Sequence, residues 1–220
     1  RVLALWQASG VREHDVRQLV GAATEELYLS CSPLVGDGVV RALAQRHAQL
    51  RTMVLRSVRS LTPTVVHAAL EAAAATLRVL DLSGSLPGYQ VFPPGTPLAS
   101  LECLISDDNN VDLSAIIAGS PRLKLVSLRR CKSVSDDWFP ALALASGQLL
   151  PALRALRLSG TKVTDVAVTH LAKLPRLRVI EVDSCRGVSR RLRLELGAAN
   201  ARHDLRALAP DLPFAEVLLA

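Results

Sequence analysis

Residues 153–182 read LRALRLSGTKVTDVAVTHLAKLPRLRVIEV, and the opening phrase LRALRL (153–158) returns as LRVIEV (177–182), 24 residues later. Written as L-x-x-L-x-L-x-x-(C/N/T/S), the phrase recurs along the chain. LRTMVLRSV at 50–58, LRVLDLSGS at 77–85, LASLECLIS at 98–106 and LKLVSLRRC at 123–131 join LRALRLSGT at 153–161 and LRVIEVDSC at 177–185. TEELYLSCS at 24–32 fits with Thr in the first place, and VLALWQA at 2–8 is a copy without its leading Leu. With the last apolar residue of each strand phrase as a marker, the copies fall at Leu5, Leu29, Leu55, Leu82, Cys103, Leu128, Leu158 and Val182, at intervals of 24, 26, 27, 21, 25, 30 and 24 residues. The alternation inside the phrase predicts a strand with one buried face.

The second half of each copy repeats too, and it carries helix-start chemistry. After the ninth position come VTD (163–165), VSDD (134–137), LTP (61–63), VGD (35–37) and VSR (188–190). Thr164, Ser135 and Thr62 are of the N-capping type, and Pro63 falls at a first helical position, where its missing N–H costs nothing. Helical spacing follows, with Val168, Leu171 and Leu174, or Val66, Ala69 and Leu70, on one face. Each unit is therefore strand, turn, helix. One such unit cannot bury its own apolar face, whereas stacked units share an aliphatic core between a parallel sheet and a row of helices.

Strand phrases ending in Cys131 and Cys185, followed by VSDD or VS, together with VTD at 163–165, resemble the cysteine-containing class of leucine-rich repeat. That class occurs in the substrate-binding portions of F-box proteins and in ribonuclease-inhibitor-like proteins. The resemblance implies an α/β leucine-rich repeat solenoid, a horseshoe with its parallel sheet on the concave side and helices on the convex side. It would be one domain, 1–220, of about eight to nine repeats. The lack of catalytic motifs and the mixed outward surface predict a non-enzymatic protein–protein interaction scaffold in a larger assembly; the resemblance implies, as an alternative, the substrate-receptor portion of an F-box-type ubiquitin ligase. Two departures stand out: Cys takes the ninth place only twice, and LPGYQVFPPGTP at 86–97 replaces a helix in the fourth unit. LPFAEVLLA at 212–220 reads as a degenerate ninth strand phrase. Both ends thus fall inside repeats, which predicts a longer natural chain or a neighbour covering the open core.

Composition narrows the function classes. At 220 residues, 50% hydrophobic and 21% charged, the chain can bury a core of its own. Apolar runs such as LEAAAATL at 70–77 fall short of the roughly 18 residues of a membrane-spanning helix, so no membrane partner is expected. The four cysteines (Cys31, Cys103, Cys131, Cys185) are widely spaced without a C-x-x-C pair, which argues against zinc and for reduced thiols. An intracellular location follows, the cytoplasm first, with nucleus or mitochondrion as alternatives. His14, His47, His67, His170 and His203 accompany no H-x-x-x-H or G-x-S-x-G arrangement, and no Gly-rich phosphate loop is present. DDNN at 107–110 and Asp136–Asp137 are read as turn and cap residues. Hence no catalytic residue, cofactor, metal or small-molecule substrate is expected.

The register also picks out the residues facing a partner. The position between the two inner apolar residues reads Ala4, Tyr28, Val54, Asp81, Glu102, Ser127, Arg157 and Glu181. The one after the second reads Trp6, Ser30, Arg56, Ser83, Leu104, Arg129, Ser159 and Asp183. Trp6, Tyr28, Arg56, Asp81, Glu102, Arg129, Arg130, Arg157, Glu181 and Asp183 are the candidate partner-binding residues. Such a mixed face suits a protein better than a phosphate backbone, which calls for uniform positive charge. A second row, Arg51, Arg78, Lys124, Arg154 and Arg178, predicts one cation per repeat along the sheet's edge. It is either a contact for RNA or acidic protein, or simply the usual opening of this repeat. The net charge of +6 and pI near 9.6 leave nucleic acid as the outside reading.

Overall fold

A computed structural model describes residues 1–46, 49–86, 88–92, 97–139, 150–172, 174 and 176–201. Strands β1 (Val2–Trp6), β2 (Glu26–Ser30), β3 (Thr52–Arg56), β4 (Val79–Asp81), β6 (Cys103–Ile105), β8 (Leu125–Ser127), β9 (Ala155–Arg157) and β10 (Val179–Glu181) form one sheet in chain order, parallel throughout. Helices α1 (Glu13–Leu19), α2 (Asp37–Gln45), α3 (Pro63–Ala72), α4 (Ser114–Ala118), α5 (Asp165–Leu171) and α6 (Arg190–Asn200) follow strands in the same order. The protein is a leucine-rich repeat solenoid. Leu80, Leu82, Val126, Leu128, Leu156 and Leu158 all lie in one apolar core with Val66, Ala69, Leu70, Val168 and Leu171 from the helices.

In one unit the expected register is corrected. Leu80 aligns with Leu104 and Asp81 with Ile105, so the phrase begins at Leu101 and reads LECLISDDN. Leu104 is therefore a core residue, and Cys103 and Ile105 lie on the opposite face of the sheet. Ser106 takes the sixth place and Asn109 the ninth. Measured at Ser106, the neighbouring intervals become 24 and 22 residues in place of 21 and 25. A Leu at 98 offered a false start three residues early, and the polar sixth place hid the true one.

Three ladders run from unit to unit and explain the parts of the phrase that are not apolar. The eighth residue of every unit has positive φ: Gln7, Cys31, Ser57, Gly84, Asp108, Arg130, Gly160 and Ser184. Only two of these are Gly, and the other six accept a left-handed conformation costing about 1 kcal/mol each. The turn points the eighth N–H of each unit at the carbonyl before the corresponding turn of the next, as in Ser57 N to Ser83 O and Arg130 N to Ser159 O, both 2.8 Å.

In four units the ninth residue serves the unit before it. Asn109 Nδ2 donates to Leu82 O (2.7 Å), Cys131 Sγ to Ser106 O (3.0 Å), Cys185 Sγ to Leu158 O (3.1 Å), and the Ser85 hydroxyl to Leu55 O. Each of these carbonyls closes a strand where the ladder ends, so an acceptor that water cannot reach is satisfied by the next side chain.

Acids beside several helix starts likewise reach forward. Glu13 Oε1 accepts from Gly36 N, Gly38 N and Val39 N, Asp136 accepts from the Thr164 N–H and hydroxyl, and Asp165 accepts from Ser189 N. Thr164 caps its own helix through Val166 N, as expected. Thr62 occupies the N-cap place without accepting from its own helix, and its hydroxyl donates to Asp37 Oδ2.

The fourth unit departs as the proline-rich segment foretold. Between β4 and β6 the described residues contain no helix. Strand β5 (Tyr89–Val91) pairs in parallel with β7 (Asn110–Asp112), and Phe92 is buried in the core. Trp138 and Phe139 are core residues as well. The expected ninth strand phrase at 212–220 lies outside the described residues, as do His47 and His203.

The two ends of the sheet differ. The peptide groups of Val179 and Glu181 bond to β9, so those of Ile180 face the free edge. There the Asn200 side chain accepts from Ile180 N (3.0 Å) and donates to Ile180 O (2.7 Å), imitating one residue of a neighbouring strand. Helix α6 thus lies across the end of the sheet. At the other end Val2 and Trp6 are exposed, and Leu3 and Leu5 are only partly buried.

Replacing Asn109 by Ala strands the Leu86 N–H and leaves the Leu82 carbonyl with the Ser85 N–H alone, and about 1–3 kcal/mol of stability is expected to go with them, read as the urea midpoint at unchanged m. The Cys131→Ser variant keeps a donor at the same place and should lose less than about 1 kcal/mol.

Candidate protein-binding face

Side chains at the third, fifth and seventh positions share the strand face opposite the helices. Adjacent strands are only about 4.8 Å apart, so these side chains crowd one another. Tyr28, Val54, Val79, Cys103, Ile105, Leu125, Ala155 and Val179 form a second apolar cluster, separate from the main core. Burial pushes the Cys103 thiol well above its usual range, which leaves it protonated.

The candidate residues divide into three groups. At the first end Trp6, 49% exposed, stacks on Tyr28 with ring centroids 6.2 Å apart and planes at 19°. Tyr28 is itself buried and donates its hydroxyl to Glu26 Oε2 at 2.9 Å. That burial, with the Glu26 carboxylate beside it, raises the phenol far above its usual value.

In the middle, Asp81 has no exposed surface. It pairs with Arg56 Nε at 2.5 Å and accepts from the Ser83 N–H and hydroxyl. Its charge holds neighbouring strands together and is not presented outward. Asp107, which the mistaken register had concealed, accepts from the Ser127 hydroxyl at 2.7 Å and from Arg129 N at 2.9 Å. Burial raises its carboxyl to about 6, against the lowering effect of Ser127 and Arg157.

At the far end Arg129 Nη2 (2.8 Å) and Arg157 Nε (2.9 Å) both meet Glu181 Oε2. Arg157 is 5% exposed, so it positions Glu181 and offers a partner little surface. Asp183 is exposed. Arg130 belongs to the turn beyond, where it pairs with Asp108 and holds that carboxyl below its usual range.

Glu102 requires the other correction. It is not on the strand face but in the edge row, between Arg78 (3.0 Å) and Lys124 (2.6 Å). The uninterrupted row of five cations therefore does not exist. Backbone bonds at this position run Arg51, Arg78, Glu102, Lys124, Arg154, Arg178. Burial on its own would raise the Glu102 carboxyl, and the hydrogen bonds from Lys124 and Arg78 outweigh it and hold it below its usual range.

Among the described residues no three His, Cys, Asp or Glu side chains are grouped to hold a metal ion. His170 lies on an exposed helix face and His67 pairs with Glu71 at 3.2 Å. The four cysteines are free.

Asp107 makes a pH-dependent contribution of known sign. Its folded carboxyl holds a proton more tightly than an unfolded one, so its ionisation weakens the fold above about pH 6, and the penalty disappears as pH falls below about 4. The Asp107→Asn variant should exceed the parent by about 1–3 kcal/mol at pH 7.5, with the gap closing near pH 4, in paired urea melts across pH.

No family model matches the chain. It is 29% identical over 167 residues to DNA repair protein rhp7 of Schizosaccharomyces pombe, covering 72% of this chain and 25% of rhp7. In fold it is similar to a chain in the crystal structure of the Rad7 and Elc1 complex in yeast, with a TM-score of 0.60, 22% identity, and coverage of 82% of this chain and 48% of that one. The chain thus spans a quarter of the length of the first and about half of the second.

Proposed function

We propose that this chain is a non-enzymatic protein-binding scaffold, a structural or adaptor part of a larger assembly that docks a protein on the strand face. The observation that carries the reading is the half-exposed Trp6 stacked on Tyr28, at the end of a face whose charges are already paired in pre-set geometry. Large aromatics held in place are the residues that dominate protein interfaces, and paired charges around them give register with little ordering cost. The similar fold in a complex of two proteins supports the same reading.

The substrate-receptor portion of a ubiquitin ligase, which the repeat class implies, would use this same face. The RNA-facing reading rests on the edge row, which Glu102 interrupts between Arg78 and Lys124. Free cysteines fit an intracellular setting, and the likeness to a DNA repair protein adds the nucleus as a location.

Affinity capture from native extract, with mass spectrometry, tests the proposal. A partner held by the wild-type chain should be lost by at least about tenfold in Trp6→Asp and retained by Val166→Asp, a substitution on the exposed face of α5. Equal loss from both variants, or a wild-type chain that captures nothing, would sink it.

A further inference from the structure

The formal charge is not spread along the chain. Residues 150–201 hold ten Lys or Arg against four Asp or Glu, a surplus equal to the +6 of the whole protein, whereas residues 1–149 hold fourteen against thirteen and residues 202–220 two against three. In the structure that stretch is β9, α5, β10 and α6, the end of the solenoid that α6 covers. Arg176, Arg186 and Arg190 are exposed there and Arg193 is half-buried, and none of the four forms an ion pair with a described residue. Other cations are met by acids, as in Arg56 with Asp81, Arg78 and Lys124 with Glu102, Arg130 with Asp108, and, within this stretch, Arg157 with Glu181 and Arg191 with Glu195.

The chemistry of this end selects its partner. Eight of the ten cations are Arg, whose planar fork matches phosphate oxygens. No Phe, Trp or Tyr lies between 150 and 201, so unstacked bases of a single strand find no platform. A duplex needs none, because its stacked bases stay inside and only its phosphates are met. A protein partner would call for a central apolar anchor. The large apolar residues exposed here, Val166 and Leu194, stand singly on different helices.

We propose that the α6 end of the solenoid binds the phosphate backbone of duplex nucleic acid without regard to sequence. This site is separate from the strand face, and a chain carrying both would bring a protein partner to a duplex.

Anisotropy with a short labelled DNA duplex of arbitrary sequence tests it. Four phosphate contacts predict that affinity falls about 100-fold between 50 and 200 mM salt. Changing Arg176, Arg186, Arg190 and Arg193 together to Gln, which keeps helix propensity, should weaken binding more than about tenfold at low salt and flatten the salt dependence. Changing the same four to Lys should preserve the salt slope, which separates lost charge from lost structure. Removing as much charge from the other end, with Arg12, Arg17, Arg41 and Arg59 to Gln, should leave binding within about threefold.

The proposal is overturned if the wild-type chain fails to bind at 50 mM salt or if both Gln variants weaken equally. It is also overturned if polyglutamate displaces the duplex at equal charge, marking an acidic protein as the ligand, or if a single strand binds more tightly than the duplex. The Trp6→Asp variant should bind the duplex normally, so failure of either proposal leaves the other readable.

Discussion

The whole structure depends on one constraint: a strand of three to five residues cannot satisfy its own peptide groups or bury its own apolar side chains. Every unit here hands that task to its neighbours. The carbonyls of Leu55, Leu82, Ser106 and Leu158 receive a donor from the ninth residue of the following unit, and the eighth N–H of each unit reaches the following turn. In these four units the ninth residue is a hydroxyl, amide or thiol with one role, whereas the Thr161 and Ser32 hydroxyls bond within their own units. That is why Ser85, Asn109, Cys131 and Cys185 substitute for one another along one ladder, and why cysteine here is a buried donor with no redox or metal role implied.

The same dependence accounts for the two faces of the sheet. Helix side and strand side are both closely packed, but the strand side mixes small apolar residues with charges that must be neutralised where they are desolvated. Asp81 and Arg157 are buried and bonded, so their contribution is to fix the positions of Arg56 and Glu181. An ion pair that replaces water by fixed partners adds geometric definition more readily than stability. Such a face holds its charges in fixed geometry, with Trp6 half-exposed at its end.

The two ends of the described sheet differ in how their edge groups are met. At the α6 end, the amide of Asn200 supplies the donor and acceptor that Ile180 would have found in another strand. At the β1 end Leu3 and Leu5 stay partly exposed, while their counterparts Leu27 and Leu29 are fully buried. The unequal charge of the two ends reinforces the contrast, because the surplus collects on the covered one.

The sequence by itself determined the solenoid, since a period near 24 residues with alternating apolar places has one way to bury its faces. It also determined the starts of α2, α3, α5 and α6, and the outward places of Trp6, Arg56, Arg129 and Glu181. Only the tertiary structure decided the register at 98–106, because Leu98 and Leu101 are equal candidates until the neighbouring strand aligns Leu80 with Leu104. That choice moved Glu102 into the edge row, exposed the role of Asp107 and placed Cys103 on the strand face. The reason is physical: apolar periodicity specifies which residues turn inward within a unit, but the phase of one unit against the next is set by backbone hydrogen bonds between strands, which no local stretch of sequence contains.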